Sequence, residues 1–135
     1  MTHDRFIGLV QNRAHLASTA EALTATRATL ETLSERIEAN EASDLAAQLP
    51  REIGHYLKEN PVAGSERFSF DEFCRRIAVR EHRDLSDAVF HARCVVGVLK
   101  EAVASGEISD VRAQLPDEFD PLFSAGSQGQ MKQPE

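Results

Sequence analysis

Apolar positions recur along the chain at steps of three and four. Leu23, Thr26, Leu30, Leu33 and Ile37 form one such series, and Val89, Ala92, Val96, Leu99 and Val103 form another. Steps of this size place residues on one face of an α-helix. Phe6 and Val10, and later Phe73 and Ile77, mark a shorter helix ahead of each series. No stretch alternates apolar and polar residues as a half-buried strand would, so the pattern predicts an all-α fold. The two series are one pattern displaced by 66 residues. Glu41-Ala42-Ser43-Asp44-Leu45-Ala46-Ala47-Gln48-Leu49-Pro50 returns as Glu107-Ile108-Ser109-Asp110-Val111-Arg112-Ala113-Gln114-Leu115-Pro116. The register extends upstream through Arg27 and Arg93, Leu33 and Leu99, and Glu35 and Glu101. A long gapless self-match of this kind predicts two tandem pseudo-symmetric helical repeats packed as one helical-bundle domain. Repeat one covers about residues 2–57 and repeat two about 68–123, giving a domain over 1–123. A linker at 58–67 carries Asn60-Pro61 and Gly64-Ser65, and a Gly-, Gln- and Ser-rich tail over 124–135 is expected to be disordered.

Capping residues set the expected boundaries. A first helix opens after Thr2, and its counterpart opens after Ser69, where Glu72 completes a capping box. Ser18-x-x-Glu21 and Asp84-x-x-Asp87 start the long helices, which are expected to end near Asn40 and Gly106. Short helices N-capped by Ser43 and Ser109 follow and break at Leu49-Pro50 and Leu115-Pro116. The second long helix carries Val95, Val98 and Ala102 on a flank where the first has Thr29, Thr32 and Arg36. That flank is either core, which would make this helix the more central element, or a surface for a partner. If the long helices cross antiparallel near Glu31 and Gly97, Arg27 faces Glu101 and Arg93 faces Glu35.

The segments Ala28-Thr29-Leu30-Glu31-Thr32-Leu33-Ser34-Glu35-Arg36, Asp44 to Pro50, Phe68-Ser69-Phe70-Asp71-Glu72-Phe73 and Val111 to Phe123 together resemble the prokaryotic Domain of Unknown Function 2267 family. The likeness covers about residues 3–123. It implies a small helical protein of bacteria or archaea and brings no catalytic or ligand-binding residues with it.

Composition narrows the function classes. The chain has 135 residues, and at 41% hydrophobic it has enough apolar side chains to build a core. Fifteen basic against 22 acidic residues give a net charge of −7, which argues against broad binding to nucleic acid or anionic lipid. No apolar run is long enough for a membrane span, and Met1 to Phe6 lack the apolar stretch of a secretory signal. Two cysteines make no disulfide framework, so a cytoplasmic protein is expected.

Candidate chemistry is sparse. His91 and Cys94 are three apart on one helix, with Cys74 and His82 nearby, but buried cysteine more often serves as a small hydrophobe than as a ligand. Ser43, Asp44 and His55 lie close in sequence, yet Ser109 and Asp110 repeat the first two as ordinary helix-start residues. Arg75, Arg76, Arg80 and Arg83 form a candidate anion-binding face, to be weighed against a solvated face balanced by Asp71, Glu72, Glu81 and Asp84. Phe90, Cys94, Val95, Val98 and Ala102 form a candidate partner surface. No catalytic residue, metal ligand or cofactor is assigned. The expectation is a non-catalytic helical interaction or regulatory module that binds another protein. The alternatives are a small-molecule sensor or enzyme with a pocket between the repeats, or anion or nucleic-acid binding through the arginine face.

Overall fold

Four side chains start the four helices whose openings the sequence marks. In the computed structural model, which describes residues 1–58, 60, 64 and 66–127, Thr2 accepts from the Arg5 amide at 3.1 Å and opens α1 (His3–Arg13). Ser18 accepts from the Glu21 amide at 3.1 Å to open α2 (Thr19–Arg36). Ser69 accepts from the Glu72 amide to open α5 (Phe70–Glu81), and Asp84 accepts from the Asp87 amide to open α6 (Leu85–Ala102). Only half of the capping box at Ser69 forms, because the Glu72 carboxylate turns to Arg75 and Arg76. The remaining elements are α3 (Ala39–Ala47), α4 (Arg51–Lys58), α7 (Ser105–Ala113), a 3-10 turn (Asp117–Phe119) and α8 (Asp120–Ser127). The described residues contain no strand, and the fold is all-α.

The long helices end four residues before the expected stops at Asn40 and Gly106. Ile37 and Val103 are extended at φ −98° and −123°, and both are buried. Their β-branched side chains are anchored in the core there, which ends α2 and α6 and turns the chain. Asn40 and Gly106 therefore lie in the first turns of α3 and α7. Ser43 and Ser109 lie inside those helices rather than capping them. The actual N-caps, Glu38 and Ala104, make no side-chain cap of their own. At the other corners, His15 and His82 adopt left-handed backbone at φ 55° and 57°, a conformation in which histidine is enriched among non-glycine residues.

α2 and α6 lie at the centre. α1 and α5 each pack on both of them, α4 packs on α2 and α3, and α8 packs on α6. Val95 and Val98 are fully enclosed. The matching flank of α2 is enclosed as well, with Thr29 and Thr32 at 0% and Arg36 at 6% exposure. Greater burial of the α6 flank is thus not what distinguishes the two long helices. Thr32 donates to the Ala28 carbonyl at 2.7 Å, and Arg36 donates to the Phe68 carbonyl at 2.8 Å. These bonds reduce the cost of enclosing polar groups. Phe70, Phe73 and Phe119 interlock with centroids 5.3–6.1 Å apart, joining α5 to the 3-10 turn.

The connection between halves runs back over the end of α2. The Gly64 amide donates to the Ser34 carbonyl at 2.8 Å and the Asn60 side chain donates to the Glu31 carbonyl at 3.1 Å. Gly64 has φ +75°, and a Cβ there would lie 3.0 Å from the Ala39 nitrogen, so glycine is required. At the other end α8 continues through Ser127, past the expected tail boundary at 123. The rest of the tail, residues 128–135, lies outside the described residues.

Leu49 and Leu115, the leucines of the doubled Gln-Leu-Pro segment, are 8% and 9% exposed. Leu49→Ala and Leu115→Ala are each expected to lower the unfolding free energy by about 2–5 kcal/mol, read from urea denaturation. A loss below about 0.5 kcal/mol at either position would contradict its place in the core.

Candidate functional site

The uncapped N-termini of α3 and α7 obtain their caps from each other's half. Gln114 accepts from the Glu38 amide at 2.8 Å, and Gln48 accepts from the Ala104 amide at 2.8 Å. Each glutamine also donates its amide group across the same contact, Gln114 to Glu41 and Gln48 to Glu107, both at 3.2 Å. The exchange is reciprocal at every position. It leaves one oxygen of Glu41 and one of Glu107 buried without a partner.

Glu41, Glu107 and Asp110 offer carboxylate oxygens within 4.8 Å of one another, the arrangement among the described residues that could hold a hard divalent cation. Without an ion, two facing carboxylates are easier to bring together with one proton between them. Burial, then Glu107, and then the charges of Asp110 and Asp44 push the Glu41 carboxyl up to about 7. A folded-state value above the unfolded one means that the folded state holds the extra proton. The associated stability is complete below the unfolded value and is lost as pH rises through about 7. The unfolding free energy is expected to fall by about 1–2 kcal/mol between about pH 5 and pH 8, discounted for partial solvent screening. Glu41→Gln, whose amide can donate to Glu107 at any pH, is expected to flatten that slope. An unchanged slope in the variant would show that the proton is held elsewhere.

The arginine run is drawn into ion pairs. Arg76 reaches Glu35 at 3.1 Å, Glu66 at 2.5 Å and Glu72 at 3.0 Å, with its guanidinium 3.9 Å above the Phe68 ring. Arg80 pairs with Glu35 and donates to Thr32 at 2.5 Å. Arg83 meets Glu21 at 3.3 Å, and Arg75 meets Glu72 at 3.4 Å. Glu35 is 3% exposed. Burial works to raise its carboxyl, but hydrogen bonds from Arg80, Asn60 and Arg76 outweigh it and hold the group below its ordinary range. The repeated glutamates therefore find arginines, though not those expected from the helix crossing. Glu101 pairs with Arg13 of α1 at 2.6 Å, and Glu35 pairs with Arg80 of α5. Arg27 bonds Glu31 within its own helix at 2.9 Å. The first helices, packed across the long ones, take the place assigned to Arg27 and Arg93.

The candidate partner surface divides. Val95 and Val98 are enclosed by the elements packed on α6 and present nothing to a partner, which corrects their inclusion. Cys94 and Ala102 are half-buried, and Phe90 is 44% exposed. The His15 ring stacks on Phe90 with centroids 6.3 Å apart.

The Cys/His candidates are not gathered. Cys74 is buried in the core, and His82 occupies an exposed corner. His91 is 4% exposed and hydrogen-bonded through Nδ1 to Glu81. Burial pushes both thiols up to about 11, so they stay protonated and weakly nucleophilic. Ser43, Asp44 and His55 are exposed on α3 and α4. What sequence reasoning missed is the glutamine–glutamate exchange. Its signal was the doubled Glu41/Gln48 and Glu107/Gln114 pair itself, read only as evidence of the repeat.

Fold and site together define an all-α protein whose two halves are tied by reciprocal polar contacts, and no helix among the described residues is long and apolar enough to cross a membrane. The chain belongs to the uncharacterized conserved protein family DUF2267, whose model matches residues 3–122. No curated protein matches it.

Proposed function

We propose that this chain is a non-catalytic helical interaction module of the prokaryotic cytoplasm, built from two tandem pseudo-symmetric repeats, whose partner is another protein. The observation that carries the reading is Phe90. Of the seven phenylalanines all but this one are buried or packed against the core, whereas Phe90 is 44% exposed beside the stacked His15 ring. Aromatic side chains, phenylalanine among them, are enriched at the centres of protein–protein contacts relative to the rest of the surface. Two further observations support the reading. The groups with the most chemical potential, Glu35 and His91, are committed to internal pairs. The arginines that would grip nucleic acid are neutralised by carboxylates. The repeat organisation is supported by bounds displaced by the same 66 residues, 19–36 against 85–102 and 39–47 against 105–113.

The test is a photo-crosslinking amino acid placed at Phe90 in the host cell, with Glu52, exposed on α4, as the control position. A discrete protein adduct at position 90, absent at 52 and displaced by unlabelled native chain but not by Phe90→Asp, is the expected result. Circular dichroism is the check that Phe90→Asp is folded. Equal capture at both positions, or displacement by both competitors, would overturn the proposal.

A further inference from the structure

Sixty-six residues apart, the same place in the fold is built in two different ways. Where α7 meets α8, Arg112 and Asp120 form an ion pair at 3.3 Å, with the Arg112 guanidinium 5.2 Å from the Phe123 ring. The corresponding residues where α3 meets α4 are Ala46 and Gly54. They touch directly, since a Cβ on Gly54 would lie 2.8 Å from the Ala46 carbonyl oxygen. Trimming both side chains leaves a hollow of about 170 Å³ beside this contact, lined by Ala46, Ala47, Arg51, Gly54, His55 and Lys58.

The lining is basic where the other half is not. Arg51, His55 and Lys58 lie four and three residues apart on one face of α4, and their counterparts are Asp117, Pro121 and Ser124. Among the described residues neither Arg51 nor Lys58 is drawn into an ion pair, unlike the arginines of α5. In a chain of net charge −7, cations left uncompensated around a recess attract a small anion more selectively than a flat surface does. Two permanent cations seven residues apart are about 10 Å apart along the helix, a span suited to a ligand with more than one anionic oxygen cluster.

We propose that the α3–α4 hollow binds a small phosphate-bearing ligand, with Arg51 and Lys58 as its cationic grips and the Ala46–Gly54 contact as its floor. This inference is independent of the protein-binding reading and of Phe90.

The experiment is a titration of the full chain with inorganic pyrophosphate, followed by backbone amide chemical shifts, with sulfate at equal ionic strength as the control. Saturable shifts confined to residues 46–58 are expected, with at least a tenfold weaker affinity in Arg51→Gln/Lys58→Gln and loss of saturation in Ala47→Glu. Ala47 is exposed, so its carboxylate enters the hollow without disturbing the core. An Arg75→Gln/Arg83→Gln control is expected to bind as the native chain does. Equal shifts with sulfate would mean an adventitious ion only and would overturn the proposal, as would an affinity unchanged by the Arg51 and Lys58 substitutions. Sedimentation with phosphatidylglycerol vesicles separates the sources of phosphate. Protein remaining in the supernatant supports the soluble ligand, and pelleting that depends on Arg51 and Lys58 would overturn it in favour of a lipid surface.

Discussion

Val98→Asp is expected to abolish folding. Val98 is completely enclosed on α6 beside Val95 and Leu99, with α1, α5 and α8 packed around that helix. An aspartate there would bury a charge or, once protonated, an unpartnered polar group in an apolar site, a penalty comparable with the whole stability of a domain this size. Circular dichroism should show loss of the helical signal, or size exclusion should show aggregated chain. Val98→Ala removes only burial and leaves a small cavity, so it should fold with a loss of about 1–3 kcal/mol. A folded, monomeric Val98→Asp would mean that the flank faces solvent and would return it to the partner surface.

His91→Leu is expected to cost about 3–5 kcal/mol, the range for breaking one side of a buried pair. His91 and Glu81 are both under a tenth exposed and bond to each other between α6 and α5, while the second Glu81 oxygen has no partner. Burial already pushes the Glu81 carboxyl up from its ordinary value, against the opposing effect of His91. Without the imidazole the carboxyl group loses its one hydrogen bond and stays enclosed. Glu81→Leu/His91→Leu removes both polar groups and should recover most of the loss, since apolar replacements of a buried pair are often neutral. The first half already has apolar residues at the matching positions, both buried: Ala25 lies 66 residues before His91, and Ala14 lies 67 before Glu81, in the register that pairs Phe6 with Phe73. A double-mutant cycle by urea denaturation measures the coupling, and additive single effects would show that the pair does not act as a unit.

Much of the local structure was legible because helix starts are short-range chemistry. Thr2, Ser18, Ser69 and Asp84 each cap an amide three residues ahead, so sequence spacing is enough to recognise them. Helix ends were less legible. Ile37 and Val103 stop α2 and α6 because a distant core holds them, and no local pattern marks that. The α3 and α7 starts were illegible for a related reason, since their caps come from residues 76 and 56 positions away. The candidate charge pairs show the same limit. Glu35 and Glu101 were singled out as repeated carboxylates, but their partners depended on which helices cross, and α1 and α5 supply them.

By itself, therefore, the sequence determined the all-α class, the four capped helix starts, the apolar stripes and the doubled Glu-to-Pro segment. The class, the starts and the stripes rest on spacing within single helices, where sequence dictates geometry, and the doubled segment is seen by comparing the chain with itself. Only the tertiary structure decided that the threonine flank of α2 is buried as fully as the valine flank of α6, and that Glu41 faces Glu107. It also decided that Phe90 is left outside while Val95, five residues on, is enclosed. These outcomes depend on which faces meet when α1 and α5 cross both long helices. That choice is made by the combined burial of many side chains and is carried by no single segment.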